Sequence, residues 1–334
     1  MDDVTKTHIK RRRFLTGAGL LATAGLGATT WRTRDERGLR ADVFIARADS
    51  YEADLAGLIG DGLETLGLDS KWVHDKSVLL KPNLVEPSRD APQINTHPAV
   101  VRAAAEVFRC WGAREVVVAE GQGHCRDSDY VLEQSGLGNV LREDKVPFLD
   151  LNHDEVYTVR NRSRFTALPT LTLPVALRRA DVIVSMPKMK THHWAGLTLS
   201  MKNLFGVMPG IVYGWPKNVL HHAGIPGSIL DINAAVRPHL AIVDGIVAME
   251  GDGPIMGTPL FAGVLVMGAN PTAVDATTAR LMKIEPVSIE YLAAASGVLG
   301  PIAEHHISQR GEPIARLERR FQRLDETPRT NMRE

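Results

Sequence analysis

Apolar positions along the chain follow two alternating patterns from residue 41 onward. Short continuous apolar runs predict buried strands, which fall at 42–46, 77–80, 115–119, 147–151, 171–175, 182–186, 239–243 and 263–267. Apolar positions at helical spacing predict helices over 51–66, 98–111, 130–141, 228–236, 272–282 and 289–295. Continuous apolar runs are typical of strands buried on both faces. The alternation therefore predicts an α/β fold with a largely parallel sheet and helices on both faces.

Three segments of different composition divide the chain. We assign residues 1–38 to an N-terminal targeting segment and residues 39–305 to a single α/β domain. Residues 306–334 are rich in charge and predict a loose C-terminal tail. The fold argument therefore concerns the central segment.

The N-terminal segment matches the twin-arginine export pattern. Arg11 and Arg12 are followed by Phe14 and Leu15 and then by a Gly/Ala-rich apolar stretch with candidate cleavage points after Ala24 and Ala28. That stretch is too short and too mild for a membrane span, and a basic arm with an apolar tether is the alternative. We expect recognition by the twin-arginine machinery and a periplasmic or cell-envelope location. This route carries folded proteins, often with a cofactor already bound.

The amino-acid composition excludes some classes of function. Of 334 residues, 44% are hydrophobic, and 39 Lys and Arg balance 39 Asp and Glu, so no net field attracts nucleic acid. We therefore expect no nucleic-acid partner. The two cysteines, Cys110 and Cys125, are too few for a four-cysteine iron–sulfur cluster. Cys110 lies in an apolar helical stretch and is predicted to be buried, and a bridge between the two remains open.

Polar side chains collect where the predicted strands end. Ligands of open parallel sheets bind beyond the carboxyl ends of the strands, so these residues are candidates for one site. They are Lys81 and Asn83 after one strand, Glu120 after the next, Lys188, Lys190 and His192 after a third, Asp244 and Glu250 after a fourth, and Lys202 and Asn203 further along the third connection. Solvated loop charges are the alternative reading.

The residue types suggest two roles. Lys81, Asn83, Lys188, Lys190, Lys202 and Asn203 are candidates for binding an anionic substrate. Glu120, His192, Asp244 and Glu250 are candidate acids and bases, and the three carboxylates are also possible ligands of a divalent metal. His192, His193, His221 and His222 could also ligate a softer metal or transfer protons, but adjacent side chains diverge, so at most one of each histidine pair is expected to point inward, which weakens the metal interpretation. Asp231 and Asp275 fit structural roles. We expect Lys188→Ala or Lys190→Ala to weaken ligand binding with little loss of stability.

Standard motifs are missing from the sequence. It has no G-x-x-x-x-G-K-[ST] phosphate loop, no H-E-x-x-H zinc helix and no G-x-S-x-G nucleophile turn. A dinucleotide fingerprint at Gly121–Gly123 fails because Arg126 stands where the third glycine is needed. The reaction, the metal, the cofactor and the oligomeric state therefore stay open.

Several ordered blocks resemble one known family. They are LLKPNLV (79–85), THPAVV (96–101), Glu120-Gly121, PKMKTH (187–192), MKNLFG (201–206), Lys217 and His222, DGIVAMEGDGPIMG (244–257) and AVDA (273–276). Together they resemble the bacterial and archaeal family catalogued as domain of unknown function 362, over about residues 42–300. The resemblance implies no general activity. Some members carry a ferredoxin-type module, which two cysteines do not support here.

Three functions fit these observations. The first is an exported enzyme that acts on a small anionic molecule by acid–base chemistry, with metal assistance as an open possibility. The second is a non-catalytic protein that binds an anion or cofactor. The third is a redox protein whose prosthetic group is loaded before export. We favour the enzyme, because predicted donors, acids and bases converge at one sheet edge.

Overall fold

The computed structural model describes Glu36, residues 38–123 and residues 127–324. The predicted targeting segment, apart from Glu36 and Gly38, lies outside the described residues, and so does Cys125.

The strands follow the predicted apolar runs closely. They are β1 Ala41–Arg47, β2 Ser77–Pro82, β3 Glu115–Glu120, β4 Phe148–Asp150, β5 Val156–Arg160, β6 Thr170–Pro174, β7 Val182–Met186, β8 Lys188–His192, β9 Gly196–Thr198, β10 Leu240–Glu250, β11 Thr258–Gly268 and β12 Ile307–Gly311. β5 and β6 form a separate antiparallel hairpin, and the others form one sheet.

The main sheet runs in the order β12-β1-β11-β10-β7-β2-β3-β4. β10, β7, β2, β3 and β4 pair in parallel, whereas β11 is antiparallel to both of its neighbours. β8 continues beyond β7, pairs in parallel with the second half of β10 and forms a hairpin with β9. The carboxyl ends of β2, β3 and β7 therefore meet at one edge, as predicted for a largely parallel sheet.

The helices connect these strands. They are α1 Leu55–Thr65, α2 Ser70–Val73, α3 Pro98–Cys110, α4 Ser128–Ser135, α5 Leu137–Glu143, α6 Ala176–Arg179, α7 Ser200–Asn203, α8 Gly210–Tyr213, α9 Asn218–Ala223, α10 Ile225–Val236, α11 Pro271–Leu281, α12 Glu290–Ala295 and α13 Ile314–Leu317. The helix predicted over 130–141 is two helices, because Gly136 adopts a left-handed conformation with φ of 81° between them.

Both faces of the sheet are buried. Val78, Val118 and Val184 pack on one face with α1 and α3, and residues at alternate positions, such as Leu79 and Ile183, are buried on the opposite face. The fold is thus the predicted α/β type with flanking helices. Cys110 is exposed at the end of α3, so the prediction of a buried thiol was wrong.

Described residues just outside both limits of the predicted central domain contact it. Glu36 accepts hydrogen bonds from Ser296 Oγ and the backbone N–H groups of Ile302 and Ala303. β12 pairs with β1, so the sheet continues past residue 305 into the segment predicted as a loose tail. In the described residues, no helix is long and apolar enough to span a membrane.

Candidate functional site

A cavity of about 320 Å³ opens beyond the carboxyl ends of β2 and β3. Its walls come from the loops after these strands, the β8–β9 hairpin, the segment 202–206 and the loop before α9. Its charged and histidine lining residues are Lys81, Glu120, Lys190, His192, His193, Lys202, Lys217, His221 and Asp252. Four lysines thus surround a cavity that has two carboxylates.

Lys81 and Glu120 form a buried ion pair at the cavity floor. Lys81 Nζ lies 2.7 Å from Glu120 Oε2 and also donates to Asn203 Oδ1 at 2.8 Å and Asn203 O at 2.6 Å. Glu120 also accepts from the N–H groups of Leu84 and Gly121. Both side chains are at most 3% exposed. Glu120 therefore already has a cationic partner and two backbone donors.

Lys190 and Lys217 are buried amines that bind to neutral oxygens. Lys190 Nζ donates to Ile94 O at 2.8 Å and Pro254 O at 3.1 Å, and Lys217 Nζ donates to Asn152 Oδ1 at 2.6 Å and to Met208 O. Burial, reinforced by neighbouring lysines, lowers the pKa of Lys190 well below its usual value. Burial lowers the pKa of Lys217 to about 7.

Lys202 is the most accessible of the four lysines. Its side chain is half-buried, and Nζ lies 4.2 Å from the centroid of the Phe205 ring. Within the described residues its amine makes no hydrogen bond. Burial, reinforced by the charge of Lys81, lowers the pKa of Lys202 to about 8. Part of this amine is therefore neutral near physiological pH.

His192 lies at the cavity as a neutral ring. The backbone N–H groups of Trp194 and Ala195 both point at Nδ1, at 3.1 and 3.3 Å, so Nδ1 accepts and the proton resides on Nε2. Burial, together with nearby Lys202, lowers the pKa of His192 to about 2. The ring can donate a hydrogen bond through Nε2 but is a poor proton acceptor.

Two buried oxygens that line the cavity lack partners among the described residues. They are Asn83 Oδ1 and Thr198 Oγ1, in side chains that are 8% and 4% exposed. Thr198 is the cross-strand neighbour of Lys190. A buried polar atom is normally satisfied, so both oxygens are suited to contact a ligand or water.

The segment 200–206 is held rigidly against the cavity. Asp275 caps α7 by accepting from the N–H groups of Ser200 at 2.7 Å and Met201 at 3.0 Å. Gly206 lies directly over the Lys81–Glu120 pair, and an added Cβ would overlap Glu120 Oε1. A side chain at residue 206 would therefore displace the buried pair.

The structure places three of the predicted site residues elsewhere. Lys188 Nζ contacts Asp244 Oδ2 at 2.5 Å and Tyr51 O–H at 3.0 Å, and both charged side chains are 0% exposed. Neither lines the cavity. Glu250 lies at the end of β10, where its Oε2 accepts from Gln322 N–H. These three were expected at the shared site, but the strands carry them to other partners.

The three carboxylates considered as metal ligands do not come together. Glu120 is paired with Lys81, Asp244 is paired with Lys188, and Glu250 is bound to the backbone. No group of three His, Cys, Asp or Glu side chains suited to a metal ion occurs in the described part of the chain. Asp231 is an anchor that accepts from Asn161, Ser163 and Thr166, consistent with its structural assignment.

Lys217 was missed as a site residue, although it belongs to a block that matched the family. Its φ of 71° lies in the left-handed region, and its side chain is 2% exposed. Thr198 could not be identified from the sequence, because its position beside the cavity depends on the pairing of β9 with β8. Trp194 and Met256 also line the cavity and are 63% and 76% exposed, so its mouth is apolar.

Comparisons with known proteins agree with the sequence blocks. The family described as "Domain of unknown function (DUF362)" matches residues 78–280. A thylakoid-associated protein of Synechocystis sp. is 31% identical over 257 residues, which are 75% of this chain and 78% of the relative.

Two solved structures show weaker similarity. A protein of Thermotoga maritima has a TM-score of 0.41 at 14% identity, over 72% of this chain and 61% of the other. The lactate racemase apoprotein of Thermoanaerobacterium thermosaccharolyticum has a TM-score of 0.46 at 10% identity, over 75% of this chain and 59% of the other. The chain thus spans about three fifths of the length of each.

Proposed function

This chain belongs to the DUF362 family, and we propose that its cavity binds a small anionic molecule and performs acid–base chemistry on it. The observation that carries the proposal is the charge balance of the lining. Glu120 is neutralised by Lys81, whereas Lys190, Lys202 and Lys217 have no carboxylate partner among the described residues. Burial disfavours the charged forms of these amines, so a bound anion would stabilise their protonated forms and supply the balancing charge.

The geometry supports distinct roles for the groups. Lys190 and Lys217 would hold the anion, with the free oxygens of Asn83 and Thr198 contacting its hydroxyl or amide groups. His192 would donate a hydrogen bond from Nε2 to a developing negative charge. Lys217, whose amine has a pKa of about 7 without a ligand, would take up a proton as the anion binds and could exchange that proton with the bound molecule.

Thermal denaturation with oxalate, phosphate and pyruvate tests the binding step. A ligand at 100 times its Kd stabilises the native state by about 2.7 kcal/mol, which raises the Tm by several degrees. Lys190→Met should weaken binding about tenfold or more, since a charged hydrogen bond contributes about 1.5–3 kcal/mol. The matched control is Lys71→Met, at an exposed lysine of α2 outside the cavity lining. Equal loss of affinity in both variants would contradict the proposal.

Exchange of carbon-bound hydrogen with solvent tests the chemical step. Small carboxylates incubated with the protein in heavy water should incorporate deuterium next to the carboxylate or carbonyl group, as seen by mass spectrometry. The incorporation should disappear in Lys217→Met, while its circular dichroism is retained. Binding without deuterium incorporation would indicate a protein that binds the anion but does not catalyse a reaction on it. One observation favours this second function: the expected carboxylate base Glu120 is engaged by Lys81.

Export remains a second part of the proposal. The support is the Arg11-Arg12 pair with its following apolar stretch. Cleavage after Ala24 or Ala28 would leave Glu36, which binds Ser296, in the mature protein. Replacing both arginines by lysine should retain the protein in the cytoplasm of a host that has the twin-arginine route. Unchanged periplasmic recovery would remove this part of the proposal and leave the pocket chemistry untouched.

A further inference from the structure

Lys202 differs from the other cavity lysines in the state of its amine. Lys81, Lys190 and Lys217 each donate to two or more oxygens, whereas Lys202 Nζ contacts the Phe205 ring face and makes no hydrogen bond to the described residues. It is also the one of the four that is half-buried rather than buried. Its nitrogen is therefore open to a molecule that enters the cavity.

The backbone around Lys202 fixes the position of this amine. α7 is capped at its start by the buried carboxylate of Asp275, and the next residue, Asn203, is bound to Lys81 and to Ser185 Oγ. The side chain thus extends from a short helix that is tied at both ends. A nucleophile held in place loses little freedom when it reacts.

Burial favours the free amine of Lys202, while the nearby charges of Lys81 and Glu120 act on its pKa in opposite directions. Burial and the charge of Lys81 oppose its protonation, with a pKa of about 8. At pH 7 roughly a tenth of the molecules would carry the neutral amine, compared with less than about one in a thousand for an ordinary lysine. This is the usual way in which a lysine becomes a nucleophile toward carbonyl compounds.

We infer that Lys202 forms a Schiff base with a small anionic aldehyde or ketone, such as a 2-oxo acid. The inference rests on the proposed function, because the anionic end of the substrate would be held by Lys190 and Lys217. The amine nitrogen attacks the carbonyl carbon, and the carbonyl electron pair moves to oxygen. The nitrogen loses two protons to this oxygen, the carbon–oxygen bond breaks, and water leaves as the C=N bond forms. His192 Nε2–H is placed at the cavity to donate to the departing oxygen.

Reductive trapping tests this inference. The full chain is incubated with pyruvate, 2-oxoglutarate or glyoxylate, treated with borohydride and examined by intact mass spectrometry. One adduct is expected, with the mass of the oxo acid less one oxygen atom, and peptide mapping should locate it at Lys202. Lys202→Arg, which keeps the charge but lacks the nucleophile, should lose at least nine tenths of the adduct. Lys71→Met should retain it.

The outcomes separate this inference from the proposed function. If no oxo acid gives an adduct, or if mapping locates it on other lysines, the Schiff base is overturned. Oxalate binding, measured by the rise in Tm, reports on the anion site in the same samples. A rise in Tm with oxalate but no adduct leaves the proposed function standing. If neither the rise in Tm nor the adduct is observed, both the Schiff base and the proposed function are ruled out. Retention of the oxalate shift in Lys202→Arg would show that its missing adduct reflects the missing nucleophile.

Discussion

Lys188 and Lys190 are two positions apart on β8, but their amines meet different partners. Lys188 pairs with Asp244, and this carboxylate also accepts from Tyr51 O–H and the N–H group of His97. Lys190 binds two backbone carbonyl oxygens at the cavity. The register of β8 against β10 is irregular between these positions, which directs the two side chains to separate surroundings. We therefore revise the expectation that both lysines serve the ligand.

Lys188→Met should lower the free energy of unfolding by about 3–5 kcal/mol, because it leaves the buried Asp244 charge without its cation. Chemical denaturation without ligand measures this change. Lys188→Met combined with Asp244→Leu should be more stable than the single variant, and the exposed control Lys71→Met should change stability little. A loss below about 1 kcal/mol for Lys188→Met would mean that the pair contributes little to the fold.

The free energy of unfolding in acid should depend on His192. Its folded pKa of about 2 lies below the unfolded value, so the unfolded chain binds more protons below about pH 6.5. Stability is therefore lost as pH falls through this window, by up to about 3 kcal/mol at pH 4. His192→Asn keeps an oxygen for the two backbone N–H groups and should flatten the denaturation profile between pH 6.5 and 4. The same profile in His222→Asn, at an exposed histidine of α9, should match the parent chain.

At the scale of elements, α7 and its following turn determine the geometry of the cavity floor. Asp275 on α11 caps α7, and Gly121 N–H donates to Gly206 O at 2.9 Å, which ties the turn to the end of β3. Burial raises the pKa of Asp275 to about 7, although the capping N–H groups oppose this rise. A cap on a third element thus positions the segment that presents Lys202 and Asn203.

Gly206→Ala should disturb both stability and binding, because its Cβ would overlap Glu120 Oε1 and force the ion pair apart. We expect a loss of about 2 kcal/mol or more in the free energy of unfolding and a weaker oxalate shift. Gly60→Ala is the matched control: it lies within α1 with open space around its Cβ position, and alanine there should stabilise by about 0.5–1 kcal/mol. Equal behaviour of the two variants would argue against tight contact at Gly206.

At the scale of the whole molecule, ligand binding should be linked to pH through the cavity lysines. Lys217 and Lys202, with pKa values of about 7 and 8, are largely protonated below pH 7 and largely neutral above pH 8. An anion favours the protonated forms, so the cavity takes up protons when it binds one.

The Kd for oxalate should therefore rise with pH above about 7 through Lys217 and more steeply above about 8, where Lys202 also loses its proton, by up to about tenfold per pH unit for each proton taken up. Calorimetry in buffers of different ionisation enthalpy measures the proton uptake directly. The arginine in Lys202→Arg stays charged throughout this pH range, so the Kd of this variant should depend less steeply on pH. A Kd that is constant from pH 6 to 9 would show that these amines do not share in binding.

The fold could be predicted from the sequence because its signal is local. Apolar runs such as 182–186 and helical spacing such as 98–111 indicate which residues are buried. The alternation of strand and helix segments then predicted that most strands are parallel. Lys81, Asn83 and Glu120, at the ends of β2 and β3, line the cavity beyond one edge of the sheet, and their role in a site stays a prediction. The family resemblance was also confirmed, over residues 78–280.

The chemistry of each side chain was decided by the tertiary structure. Lys81 meets Glu120 and Asn203, which lie 39 and 122 positions away in sequence, whereas Lys188 meets Asp244 at a separation of 56. Sequence order does not encode such distances. The charge of a buried amine depends on its desolvation and on the hydrogen-bond acceptors within about 3 Å. Strand register, helix caps and turns determine which acceptors these are, because they bring residues that are distant in sequence together. The sequence by itself therefore determined the fold and the sheet edge at which these polar residues collect, and only the folded chain decided which amines are paired and which lack a hydrogen-bond partner among the described residues.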